Sequence, residues 1–117
     1  MTCFYKKAFN PVLHLEGGFE MFERKFQSNL IKILKEMFPN SIILKNDPTY
    51  KQGIPDLIIL ENDKWATLEC KQRSNSKTQP NQKYYVDKMN NMSFSKFISK
   101  DNQEEVLYDL ERFFKGV

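Results

Sequence analysis

Gly53-Ile54-Pro55-Asp56-Leu57-Ile58-Ile59-Leu60-Glu61-Asn62-Asp63-Lys64-Trp65-Ala66-Thr67-Leu68-Glu69-Cys70-Lys71 is the stretch on which the fold turns. Leu57 to Glu61 and Trp65 to Lys71 are short and mostly apolar, and Asn62-Asp63-Lys64 between them suits a tight hairpin. Asp56 opens the first strand and Glu69 interrupts the apolar run of the second. Both residues are equally far from a turn centred between Asn62 and Asp63, so the hairpin register sets them side by side. Lys71 lies two residues past Glu69, and side chains two apart in a strand leave the same face. One face of the hairpin therefore presents two carboxylates and an ammonium.

The flanking sequence supplies the layers. Glu20 to Phe38 carries Phe22, Phe26, Leu30, Ile33, Leu34 and Met37 at spacings of three and four, with Lys25, Lys32, Lys35 and Glu36 off that stripe, which predicts an amphipathic helix ended by Pro39-Asn40. Ser41 to Lys45 reads as a β-branched strand, and residues 46–53 have loop composition. Beyond the hairpin, residues 72–78 form a polar loop. Pro80 then suits the first turn of a helix to about Asn90 with Tyr84, Tyr85 and Met89 towards the core. Ser93 to Ile98 reads as a fourth strand. Asn102 and Glu105 have capping-box spacing before a last helix through Phe114, whose buried stripe is Val106, Leu107, Leu110, Phe113 and Phe114. The predicted class is α/β, a central mixed sheet flanked by helices in the order αβββαβα. Residues 1–18, which contain Pro11 and end in Gly17-Gly18, read as an N-terminal extension to a single domain over 19–117.

At 117 residues the chain is long enough to bury a core without metal or disulfide support. Its 16 aromatic residues argue against disorder. No apolar run reaches the roughly 18 residues of a membrane span, and residues 1–18 lack the apolar stretch of a secretory signal, so no membrane association and a cytoplasmic location are expected. Two cysteines, Cys3 and Cys70, are too few for a disulfide framework, and Cys70 in an apolar strand reads as a buried thiol. The net charge of +3 is uneven: Lys64 to Lys100 holds eight basic residues and two acidic ones. Gathered on one face, such an excess suits a polyanion; dispersed, it is a solvated surface.

Two adjoining carboxylates repel unless a proton or cation intervenes, and Mg²⁺ commonly takes one or two carboxylates while keeping several waters. A lysine beside such an ion suits orienting or activating water, or stabilising charge on a phosphoryl oxygen. An ordinary cross-strand ion pair would account for any single acid and Lys71. It does not account for two acids and a lysine on one face, preceded by Gly-x-Pro and followed by a basic loop.

Gly53-Ile54-Pro55-Asp56, twelve intervening residues, then Glu69-Cys70-Lys71 resembles the signature of the PD-(D/E)XK nuclease superfamily, and within it the small VRR-NUC type nucleases found alone in phages and mobile elements. The resemblance runs from about Glu23 to the last helix and implies a restriction-endonuclease-like fold. It implies an Mg²⁺ or Mn²⁺ site made by Asp56, Glu69 and the Cys70 carbonyl, completed by Glu23 on the first helix, with Lys71 as the catalytic lysine. A glutamine past the lysine is also typical, and Gln82 matches it more closely than Gln79. From the residues alone, Glu23 is equally readable as a solvated helix acid beside Gln27 or Lys25, and the two glutamines as helix N-terminal polar contacts. Cys70 stands where members usually carry Val or Ile, a tolerable change if the backbone carbonyl is the ligand.

The resulting expectation is a metal-dependent deoxyribonuclease, an endonuclease that hydrolyses phosphodiester bonds in branched DNA such as four-way (Holliday) junctions and acts as a homodimer. Arg73, Lys77 and Lys83 are the expected phosphate contacts, with Lys45 and Lys51 flanking the site from the other side. The alternative is a non-catalytic DNA- or protein-binding module retaining a nuclease fold.

Overall fold

Asn62 adopts φ of 56°, a left-handed conformation that asparagine tolerates better than most side chains, and on it the chain folds into the central hairpin. Strands β2 (Leu57–Glu61) and β3 (Lys64–Cys70) pair antiparallel, with Leu57 opposite Leu68 and Glu61 opposite Lys64. The computed structural model describes residues 16–47 and 49–117; most of the N-terminal extension, with Cys3, lies outside them. Strand β1 (Ile42–Lys45) pairs antiparallel with β2. Strand β4 (Phe94–Ile98) runs parallel to β3, Ala66 opposite Phe94. The sheet is therefore mixed, in the order β1-β2-β3-β4. A parallel neighbour requires a crossover, and helix α2 (Pro80–Met92) lies within it.

Strand alternation divides the side chains between two faces. Leu57, Ile59, Ala66, Leu68, Cys70, Phe94 and Ile98 join one core with Phe26, Leu30, Leu34 and Phe38 from α1 (Glu16–Met37) and the flanking phenylalanine, and with Val106, Leu107 and Leu110 from α3 (Gln103–Lys115). Leu30, Leu34, Leu57, Ile59, Leu68, Ile98 and Leu110 are wholly buried, each contributing roughly 1.5–3 kcal/mol. Residues of the opposite parity meet α2: the Thr67 hydroxyl donates to Ser95 Oγ at 2.7 Å and approaches Met89 Sδ at 3.7 Å. No helix of the described residues is long and apolar enough to cross a membrane.

Three expectations change. Helix α1 begins at Glu16, earlier than the expected Glu20, so Gly17 and Gly18 lie inside it. On α2 the buried residue is Val86, while Tyr84 is 56% exposed, because the face set by Gln82 and Val86 is the one turned to the sheet. Asn102 precedes α3 without forming a side-chain cap, since its Oδ1 accepts the Ser99 N–H at 2.7 Å and its Nδ2 donates to the Phe97 carbonyl.

Candidate functional site

Asp56 enters β2 from a braced turn. The Asn46 N–H donates to the Asp56 carbonyl at 2.8 Å, and Asn46 Nδ2 donates to the carbonyl of buried Pro55. On the neighbouring strand the Cys70 N–H donates to Asp56 Oδ2 at 2.8 Å, which fastens the carboxylate to the end of β3. The paired register ends at Leu57 opposite Leu68, and one residue beyond it Asp56 lies close enough for its charge to act on Glu69, which is only 5% exposed. The next residue, Lys71, remains tied to β4 through its N–H to the Ile98 carbonyl at 2.8 Å.

Gln82, in the first turn of α2, joins the charged groups. Its Oε1 accepts from Lys71 Nζ at 2.8 Å and from the Gln79 N–H at 3.1 Å, and its Nε2 donates to Glu69 Oε2 at 3.2 Å. Lys71 Nζ also donates to the Lys77 carbonyl at 3.3 Å and sits 5.7 Å from the centre of the Phe97 ring. These groups line a cavity of about 340 Å³ at the end of the sheet, with Glu23, Arg24 and Gln27 contributed by α1.

The electrostatics are those of an acid pair short of positive charge. Burial raises the Asp56 carboxyl above its ordinary value, against the Cys70 N–H and the charges of Lys71 and Lys45. Burial, then the neighbouring Asp56 charge, pushes Glu69 up to about 8, although the Lys71 ammonium works in the opposite direction. The Cys70 thiol is pushed well up by burial and by both acids, so it stays protonated and is no nucleophile. Among the described residues no three His, Cys, Asp or Glu side chains form a ready cation-binding group. The available donors are the two sheet carboxylates and the Cys70 carbonyl, faced by Glu23. All are oxygens, a donor set that fits a hard divalent cation retaining waters, which would displace the proton that burial favours on the carboxyls.

Sequence-predicted Asp56, Glu69, Cys70, Lys71, Glu23 and Gln82 all line the one cavity; Gln79 stands at the start of α2 and is not part of the lining. The five predicted phosphate contacts do not line it. Lys45 reaches it only through its charge on Asp56, and Lys77 through its backbone carbonyl. Lys83 pairs with Asp87 at 2.7 Å, and Lys51 lies over the Tyr85 ring. Arg73 is held in a turn in which its N–H donates to Ser76 Oγ at 2.9 Å. That loop is pinned to the start of α3, where Asp101 accepts from the Ser74 N–H at 2.9 Å and the Ser74 hydroxyl at 2.7 Å. The hydroxyls of Ser74 and Ser99 lower the Asp101 carboxyl to about 2.

The sequence reading missed Arg24 in the lining. Its only signal is its place beside Glu23 and one turn before Gln27 on the same helix. Comparison with protein-family models, with curated proteins and with solved structures finds no match.

Proposed function

We propose that this protein is a metal-dependent DNA endonuclease of the PD-(D/E)XK type, similar to the VRR-NUC nucleases. The observation that carries the reading is the convergence of Asp56, Glu69 and Lys71 on one cavity, with Gln82 hydrogen-bonded to both Lys71 and Glu69. Sequence order along the described chain, helix, three strands, helix, strand, helix, accords with a restriction-endonuclease-like layout. Asp56, Glu69 and the Cys70 carbonyl would hold Mg²⁺ or Mn²⁺, with Glu23 assisting. When bound, such an ion supplies a Lewis acid and a water acidified enough to attack a phosphodiester.

The chain's own residues divide the remaining work. Lys71 presents a fixed positive charge where a phosphoryl oxygen gains negative charge, and its two oxygen partners hold the ammonium in place before substrate arrives. Gln82 sets the spacing between that ammonium and Glu69. Arg73 and Lys77, exposed on the pinned loop, and Arg24, exposed in the cavity lining, are the candidates for binding the DNA backbone without reading its sequence. Branched DNA and a homodimer presenting two such sites complete the proposal.

The test is cleavage of linear, single-stranded, flapped and four-way DNA in Mg²⁺ or Mn²⁺ against EDTA, with Asp56→Ala as control. Metal-dependent cutting that Asp56→Ala abolishes is expected. Metal-independent binding with no cutting of any form would favour a non-catalytic module instead.

A further inference from the structure

One surface lies outside the candidate centre yet borders it. On α2, the turn after Gln82 carries Tyr84 and Tyr85, whose rings meet edge to face with centroids 5.1 Å apart. Tyr84 is 56% exposed, more than packing on the sheet would allow. Lys88, one turn further, places Nζ 5.9 Å from the centre of the Tyr84 ring, and Lys51 places Nζ 5.7 Å from that of Tyr85. Lys51 reaches α2 because its loop is seated on the first turn of the helix. At Gly53, φ is +91°, and an added Cβ would come within 2.8 Å of the Asn81 side chain. The same loop leads three residues later to Asp56, so it ties the first turn of α2, whose Gln82 lines the cavity two residues before Tyr84, to the strand that carries the carboxylate. The acid of this helix, Asp87, is occupied by Lys83 at 2.7 Å.

We propose that Tyr84, supported by Tyr85 and flanked by Lys51 and Lys88, is a stacking platform for an unpaired nucleotide beside the cavity. The proposal rests on the nuclease reading and narrows its substrate to DNA with single-stranded character next to the cut. A base inside a duplex is already stacked on both faces and cannot lie on a surface ring, whereas an unpaired base can, with little dependence on sequence. Lys51 and Lys88 are exposed, so their ammoniums can leave the rings and take up the flanking phosphates as the base arrives.

Fluorescence anisotropy of the full chain in EDTA tests this, with a labelled duplex and the same duplex carrying a single-stranded gap. Wild-type protein should bind the gapped DNA more tightly. Tyr84→Ala should weaken gapped binding roughly five- to hundredfold, the range for loss of one base–aromatic stack, and leave duplex binding unchanged. Tyr84→Phe, which keeps the ring, should bind as wild type. Equal weakening of both DNAs by Tyr84→Ala, or no weakening, would overturn the platform. Since no cleavage is measured, the two readings fail separately. Stacking without cutting of any DNA in Mg²⁺ refutes the nuclease, and cutting with unchanged Tyr84→Ala binding refutes the platform.

Discussion

Replacing Glu69 with Gln should stabilise the metal-free protein, and by an amount that grows with pH. The ordinary glutamate value is 4.5, and the folded site raises it to about 8. Between those limits the unfolded chain has released this proton while the folded chain still holds it. The folded state thus binds more protons there, and stability falls as pH rises. At ~1.4 kcal/mol per pH unit the cost is near zero at pH 4.5, roughly 3 kcal/mol at pH 7 and roughly 5 kcal/mol above pH 8. Asp56, raised in the same direction, adds to the slope. Glutamine has the shape of the protonated acid and never ionises, so Glu69→Gln removes the Glu69 part of this loss.

Urea unfolding in EDTA at pH 5, 7 and 8 measures it. The stability difference between Glu69→Gln and wild type should be small at pH 5 and approach about 3 kcal/mol at pH 7, which for a domain of this size is roughly 10 °C in Tm. Saturating Mg²⁺ should raise the stability of the wild type and not that of the variant, since a cation answers the same charge deficit. Parallel pH dependences for the two proteins would refute the argument, because the Glu69 carboxyl would then be titrating in the folded state as it does in water.

Lys71→Ala should keep the Mg²⁺-dependent thermal shift while cleavage falls by on the order of 10² to 10³, the usual cost of removing one transition-state charge stabiliser. Cleavage at the wild-type rate would sink the proposed role. A double Arg73→Ala, Lys77→Ala variant should show a shallower dependence of log Kd on log salt, by about 0.9 for each phosphate no longer neutralised, with its unfolding curve unchanged. An unaltered slope would make the loop merely a solvated surface. Asn29 is buried in α1 with Nδ2 unpartnered. Asn29→Leu should therefore raise stability by about 1 kcal/mol in urea unfolding, and a loss would show that the amide is satisfied after all.

The elements that sequence made visible are those whose periods are long or whose turn chemistry is specific. Phe26, Leu30 and Leu34 recur at the helical spacing of four with charged Lys25, Lys32, Lys35 and Glu36 off that stripe, and Leu30 and Leu34 are wholly buried. Asn62-Asp63 fixes the hairpin register, and from that register alone Asp56 and Glu69 follow as neighbours. The inner face of α2 is less legible because Pro80–Met92 has few apolar residues, so two tyrosines outweigh one valine in any count of hydrophobic positions. The contact of the Thr67 hydroxyl with Met89, a residue expected on the core side, and the Ser95 N–H donated to Asn90 Oδ1 show which side faces the sheet. Asn102 failed for a related reason: its spacing to Glu105 is right for a cap, but Ser99, three residues earlier, has already taken its side-chain oxygen. Arg24 and the anchoring of Ser74 by Asp101, 27 residues away, depend on how helices and loops meet, which no local pattern encodes.

Such long-range packing also explains how the cavity keeps opposite charges apart. A free ammonium beside Glu69 would collapse onto it, and the pair would neutralise itself. Gln82 prevents this by its amide orientation: Oε1 accepts from Lys71 and from the Gln79 N–H, and those two donors leave only Nε2 to face Glu69. The Lys77 carbonyl gives the ammonium a second acceptor on the loop side. Glu69 is left with a neutral donor instead of a direct cation, and this agrees with a carboxyl that stays raised despite a lysine two residues away. A strand alone would deliver an ion pair. The strand with α2 laid across its end instead keeps the Lys71 ammonium on the Gln82 amide oxygen, beside the acid pair and not upon Glu69.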